Sequence, residues 1–151
     1  MSSINFEALW ERATADFVLG EASLHGPDHW RRVEQNGLAL AERNGANEEI
    51  VRLFAVLHDS QRRNESHDPR HGARAADYAA LLHGEYFVLP YEELELLQYA
   101  LTYHDKGKLS DDVTIGTCWD ADRLDLGRVG IAPSAAYLST VAAKQLLRGR
   151  R

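Results

Sequence analysis

The sequence predicts an all-α fold, a single-domain bundle of about six or seven helices over residues 1–151. Three observations carry this. Apolar residues recur at steps of three and four along nearly the whole chain. Glycine and proline mark where those runs stop and start. A length of 151 residues suits one domain with one sizeable core, and no linker, internal repeat or low-complexity stretch divides it.

The first helix is expected over about residues 4–19, where Phe6, Leu9, Trp10, Ala13 and Phe17 form an apolar stripe before Gly20. Pro27 has no N–H to leave unpaired and so suits the first turn of a second helix, which runs to Asn44-Gly45. His29, Val33 and Gly37 share one face of it. Asn47 can cap a third helix, with Glu48 and Glu49 in its positive first turn. Ile50, Leu53, Phe54 and Leu57 are its core stripe, and His58 continues that stripe. Residues 60–68 are polar throughout and read as a loop.

Asp68-Pro69 reads as the cap and first residue of a fourth helix, with His71 in its first turn and an end near His83-Gly84. Pro90 opens a fifth in the same way, with Leu94, Leu97, Leu101 and His104 on one face. A turn at 106–110 precedes a weaker segment from Val113 to Gly116 and a helix over Ala121 to Leu126. Gly127, Gly130 and Pro133 break the pattern before a last helix over about residues 134–148 and a basic tail at 149–151.

Composition narrows the partners. The net charge is −6 and the basic residues are dispersed, so polymeric nucleic acid is disfavoured, because its binding needs a concentrated basic surface. A small phosphorylated substrate is compatible, since a metal and a few local Arg or Lys residues can hold it on an acidic protein. Cys118 is the only cysteine, which excludes an internal disulfide, predicts a cytoplasmic location and suits a buried apolar role. No apolar stretch is long enough for a bilayer, and the N-terminus lacks the layout of a secretory signal, so no membrane partner is expected.

The residues that point to chemistry are His58-Asp59 at the end of the third helix, His29 upstream, and His71, His104 and Asp122 downstream. Helical bundles converge such groups on their interior. Imidazole with carboxylate suits Fe, Mn, Ni, Co, Zn or Mg, and six groups suffice for one or two ions. Neighbours on a regular helix point about 100° apart. His58 and Asp59 can therefore share a site if the helix ends there or if Asp59 lies between two ions.

In this order the residues resemble the HD-domain metal-dependent phosphohydrolases, whose signature is a histidine, a His-Asp pair and a distant aspartate on a helical core. His29-Trp30-Arg31-Arg32-Val33 is similar to the first histidine helix, Leu57-His58-Asp59 to the pair and Ala121-Asp122-Arg123-Leu124 to the final aspartate segment. The resemblance covers residues 29–126. His71-Gly72-Ala73-Arg74 and His104 are similar to the two extra histidines of a two-metal branch. It implies that His29, His58, Asp59 and Asp122 hold one ion, with His71 and His104 on a second and Asp59 bridging.

The function this implies is hydrolysis of a small phosphate ester or anhydride, such as a nucleotide, by metal-activated water. Asp59 would orient the nucleophile. Arg62, Arg63, Lys106 or Arg123 would meet the phosphate, Arg62 serving in catalysis, because a guanidinium matches phosphate oxygens. Lys108 and Arg128 compete for that role, and Arg123 or Arg128 could instead pair with Asp120 or Asp125. The alternatives are a di-iron oxygenase on the same ligands and a non-catalytic nucleotide-binding domain. The remaining groups read more plainly. His25, one helical step from His29, could face the site but is expected to cap or be exposed, and His67 (an alternative to His71) and His83 are expected to be solvated. Asp125, but not Asp120, is placed to share the face of Asp122.

Overall fold

The computed structural model describes residues 4–150 and places seven α-helices among them. These are α1 (Phe6–Asp16), α2 (Pro27–Asn44), α3 (Glu48–Leu57), α4 (His71–Leu82), α5 (Tyr91–Tyr103), α6 (Val113–Arg123) and α7 (Val141–Gly149). No strand occurs among the described residues, and no helix is long and apolar enough to cross a membrane.

α3 is the centre of the bundle. Seven of its residues, Ile50, Val51 and Leu53 to Leu57, are buried, and it packs on α1, α2, α4, α5 and α6. α2 lies along α3 so closely that a β-carbon at Gly37 would collide with the Val51 side chain. α4 and α5 form a second tight pair, and α7 closes the far side over Leu40, Leu124 and Leu138. The caps expected at the ends of α2 and the start of α3 form. The Asn47 side chain accepts from the Ile50 amide at 3.2 Å, Pro27 occupies the first turn of α2, and Gly45 ends it in the left-handed region at φ 77°.

Four boundaries differ from the sequence reading. The first helix ends at Asp16, not near residue 19. The fourth helix begins at His71, not Pro69. Instead of capping it, the Asp68 carboxylate accepts from the Arg63 amide (2.8 Å) and from Arg74 Nη2 (2.6 and 2.7 Å). Residues 113–123 form one continuous helix, because Asp112 caps it through the Thr114 and Ile115 amides, both 2.9 Å away. The last helix starts at Val141, not 134, since Thr140 caps it. The intervening stretch holds only two short 3-10 turns, Leu126–Val129 and Ala135–Tyr137. Asp120 pins its end: the buried carboxylate accepts from the Ser139 amide (2.7 Å) and the Thr140 amide (2.8 Å) and hydroxyl (2.7 Å).

Candidate metal centre

Three of the site histidines sit at helix ends, where the backbone aims them. His58 and His104 are the C-cap residues of α3 and α5, and His71 is the first residue of α4. Each ring points Nδ1 at the carbonyl three residues earlier: His58 at Ala55 (2.9 Å), His71 at Asp68 (2.6 Å) and His104 at Leu101 (2.7 Å). A carbonyl only accepts, so Nδ1 carries the proton and Nε2 keeps its lone pair. His29, in the first turn of α2, is set by a side chain instead, Nδ1 lying 2.6 Å from Asp125 Oδ2.

All four Nε2 atoms face one buried centre. His29 Nε2 lies 3.0 Å from His58 Nε2, and His71 Nε2 lies 2.9 Å from His104 Nε2. Two imidazole nitrogens at that separation need a proton or a metal cation between them, because their lone pairs alone would repel. Carboxylates complete both groups. Asp122 Oδ1 is 3.1 Å from His29 and 3.4 Å from His58. Asp59 divides its oxygens: Oδ2 is 3.3 Å from His29 and 3.5 Å from His58, while Oδ1 is 3.1 Å from His71 and 3.4 Å from His104. α3 ends at Leu57, and this frees Asp59 to reach the centre beside His58.

The donor set fits a metal ion. Ligands at about 2.1 Å from an ion sit about 3.0 Å apart in an octahedron and about 3.4 Å apart in a tetrahedron, by elementary geometry on ordinary bond lengths. The separations above run from 2.9 to 3.5 Å and so span those values. His29, His58, Asp59 and Asp122 could hold one ion, and Asp59, His71 and His104 another. Electrostatics agree. Burial lowers His29, but Asp122, Asp125 and Asp59 outweigh it and raise the imidazole to about 10. A field that favours a proton there favours a divalent cation too. Burial likewise opposes ionisation of Asp59 and Asp122, yet the surrounding imidazoles, His58 foremost, hold both well below the usual carboxylate range.

A cavity of about 420 Å³ opens above this centre, with Asp59, His71, His104 and Asp122 in its lining. Arg62, Arg123 and Arg128 join them. Backbone carbonyls fix each guanidinium: Asn64 and Ser66 hold Arg62, Tyr137 holds Arg123, and Leu24 and Asp125 hold Arg128. Arg62 Nε, Arg123 Nη2 and Asp122 Oδ1 are the buried side-chain atoms without a hydrogen-bond partner among the described residues. All three line the cavity, and such atoms are costly unless a ligand satisfies them.

Other expected residues fall elsewhere. The Arg63 side chain is exposed, and only its amide is engaged, by Asp68. Lys106 lies outside this cavity, its ammonium donating to the Pro69 carbonyl at 2.9 Å. Lys108 stacks on Tyr103, 4.5 Å from the ring centroid. Neither Arg123 nor Arg128 spends its guanidinium on a carboxylate of Asp120 or Asp125, since both are anchored on carbonyl oxygens. His67 is exposed as expected, whereas His83 is half-buried and its Nε2 accepts from the Leu89 amide at 3.0 Å.

His25 departs from its expected exposure. It is buried, lines the cavity and brings Nδ1 to 3.7 Å from Asp59, because Nε2 is fixed on the Glu65 carbonyl at 2.9 Å. Its one signal in the sequence is the single helical step to His29. Arg128 comes within 3.9 Å of Asp59, a placement set by a 3-10 turn that apolar periodicity does not reveal. Cys118 is fully buried in α6, and burial pushes its thiol up, so it is a packing residue.

The helical domain with its His/Asp cluster is compatible with an HD-like arrangement. No protein-family model, curated protein or solved structure matches the chain.

Proposed function

We propose that the chain is an HD-type metal-dependent phosphohydrolase acting on a small phosphate ester or anhydride, with nucleotides the first class to test. One observation carries this reading. A centre of four inward Nε2 atoms and two carboxylates lies at the floor of a cavity that three guanidiniums, with the single further carboxylate of Asp105, also line.

In this reading His29, His58, Asp59 and Asp122 hold one ion, and Asp59, His71 and His104 a second. Bound there, a divalent ion of Fe, Mn, Ni, Co, Mg or Zn makes water acidic enough to supply hydroxide near neutral pH and withdraws charge from the phosphoryl group. The protein does the rest. Asp59, with one oxygen toward each histidine pair, orients the attacking water. Arg62, Arg123 and Arg128 meet the non-bridging oxygens, and their prior fixation on carbonyls removes the need to reorganise as charge develops. Low exposure of the centre excludes bulk water and strengthens each of these contacts.

The oxygenase and the nucleotide sensor share this geometry and are separated by assay. Gently purified protein is analysed for metal, then reloaded with Mn or Co and given nucleotides in anaerobic buffer. Phosphate release supports the hydrolase. Substrate loss that requires dioxygen overturns it in favour of the oxygenase, and ligand binding without turnover overturns it in favour of a sensor.

A further inference from the structure

The phosphate reading uses only the charged half of the cavity lining. The other half comes from the stretch between α6 and α7, which contributes Leu126, Val129, Ile131, Ala132 and Tyr137. Val129, Ile131 and Tyr137 are 37%, 53% and 57% exposed, although the next residue, Leu138, is buried. Apolar side chains left uncovered beside a deep polar site are a common mark of ligand contact.

This stretch is built rather than loose. Arg128 ties its start to Leu24 and Asp125, the Ile131 amide donates back to Leu126 at 3.2 Å, and Asp120 clamps Ser139 and Thr140 at its end. Arg123 joins the two halves. Its Nη1 donates to the Tyr137 carbonyl at 2.8 Å, while Nη2 is buried without a partner. The same side chain therefore fixes the apolar wall and leaves a donor for an anion. A volume of about 420 Å³ falls in the range of pockets that enclose a small organic ligand and is far more than phosphate alone requires.

We propose that Val129, Ile131 and Tyr137 form a recognition wall for the organic part of the substrate. The preferred substrate is then a phosphate attached to an uncharged aryl-like or base-like body, in preference to a bare polyol phosphate. This inference rests on the phosphohydrolase reading.

The test uses two phosphonates, whose C–P bond survives this chemistry: methylphosphonate and 1-naphthylmethylphosphonate, titrated calorimetrically into the Mn-loaded protein. The naphthyl compound is expected to bind about tenfold tighter or better, from apolar area buried on the wall. In Val129→Ser/Ile131→Ser that ratio should fall below about threefold, and Tyr137→Ser should lower it independently. Equal binding of the two phosphonates by the wild type overturns the wall alone, as does a preference that survives in these variants. Binding of neither phosphonate overturns the phosphate reading and the wall with it.

Discussion

Asp125 Oδ2 accepts the Nδ1 proton of His29 at 2.6 Å, and Arg32 Nε holds the same carboxylate from the other side at 2.9 and 3.0 Å. This fixes the ring's tautomer and orientation from outside the centre, as partners of metal-bound histidines commonly do. Asp125→Ala is therefore expected to weaken metal binding about 10–100-fold. Equilibrium dialysis with Mn or Zn measures it, and circular dichroism should show the helices intact. Unchanged affinity would remove Asp125 from this role.

Asp59 and His71 separate the two groups of donors. Elemental analysis of Asp59→Ala should find both ions lost, since its oxygens face both pairs. His71→Ala should lose one ion per chain and keep the other. Equal losses in the two variants would show a single shared site.

A β-carbon at Gly72 would lie 2.6 Å from the Leu101 and Thr102 carbonyl oxygens, backbone atoms that cannot swing aside. Gly72→Ala should then separate α4 from α5 and cost about 1–3 kcal/mol in urea unfolding. Because His71 and His104 flank that contact, the metal group they share should weaken as well. Wild-type stability in the variant would contradict the close approach.

Asp68 supplies a pH signature. Burial pushes its carboxyl up, but the Arg74 guanidinium and the Arg63 amide outweigh this and hold it below its ordinary value. Its folded value lies below an unfolded value of about 3.9, so its contribution is complete above that pH and drains away as pH falls through the folded value. Asp68→Asn should cost about 1–3 kcal/mol at pH 7. The gap to wild type should narrow below about pH 4, and a gap that stays constant on acidification would refute the ionic origin.

Arg62 bears on catalysis. Its Nε is 3.4 Å from Asp59 Oδ1, and carbonyls hold the rest of the guanidinium. If it meets the phosphoryl oxygens, Arg62→Ala should lower kcat/KM on the best nucleotide by about 10²–10³-fold with metal content unchanged. Arg63→Ala, on the exposed side of the same loop, should have little effect. Equal losses in both would assign the effect to the loop and not to the guanidinium.

Much of this was legible because the candidate metal centre is built on helix ends. Apolar stripes ending in His58 and His104 announce both where a helix stops and what lies at its tip. Asn47, Pro27 and Gly45 act locally, so their effects can be read from adjacent residues. What escaped depends on distant partners. The Asp68 side chain stands where a cap is expected, but Arg74 and the Arg63 amide hold it once the chain folds back. His25 depends on Glu65, forty residues away, and Arg128 on Leu24. The recognition wall has no periodicity because 3-10 turns, Gly130 and Asp120 set its course.

The division of Asp59 between two histidine pairs has a consequence for loading. One carboxylate cannot rotate to suit one pair without turning its second oxygen for the other. A first cation bound at one pair would fix that rotation and so lower the entropy cost for a second, while the shared negative charge would offset the repulsion between the ions. Occupancy is then expected to be cooperative, and a titration followed at either pair should report on both.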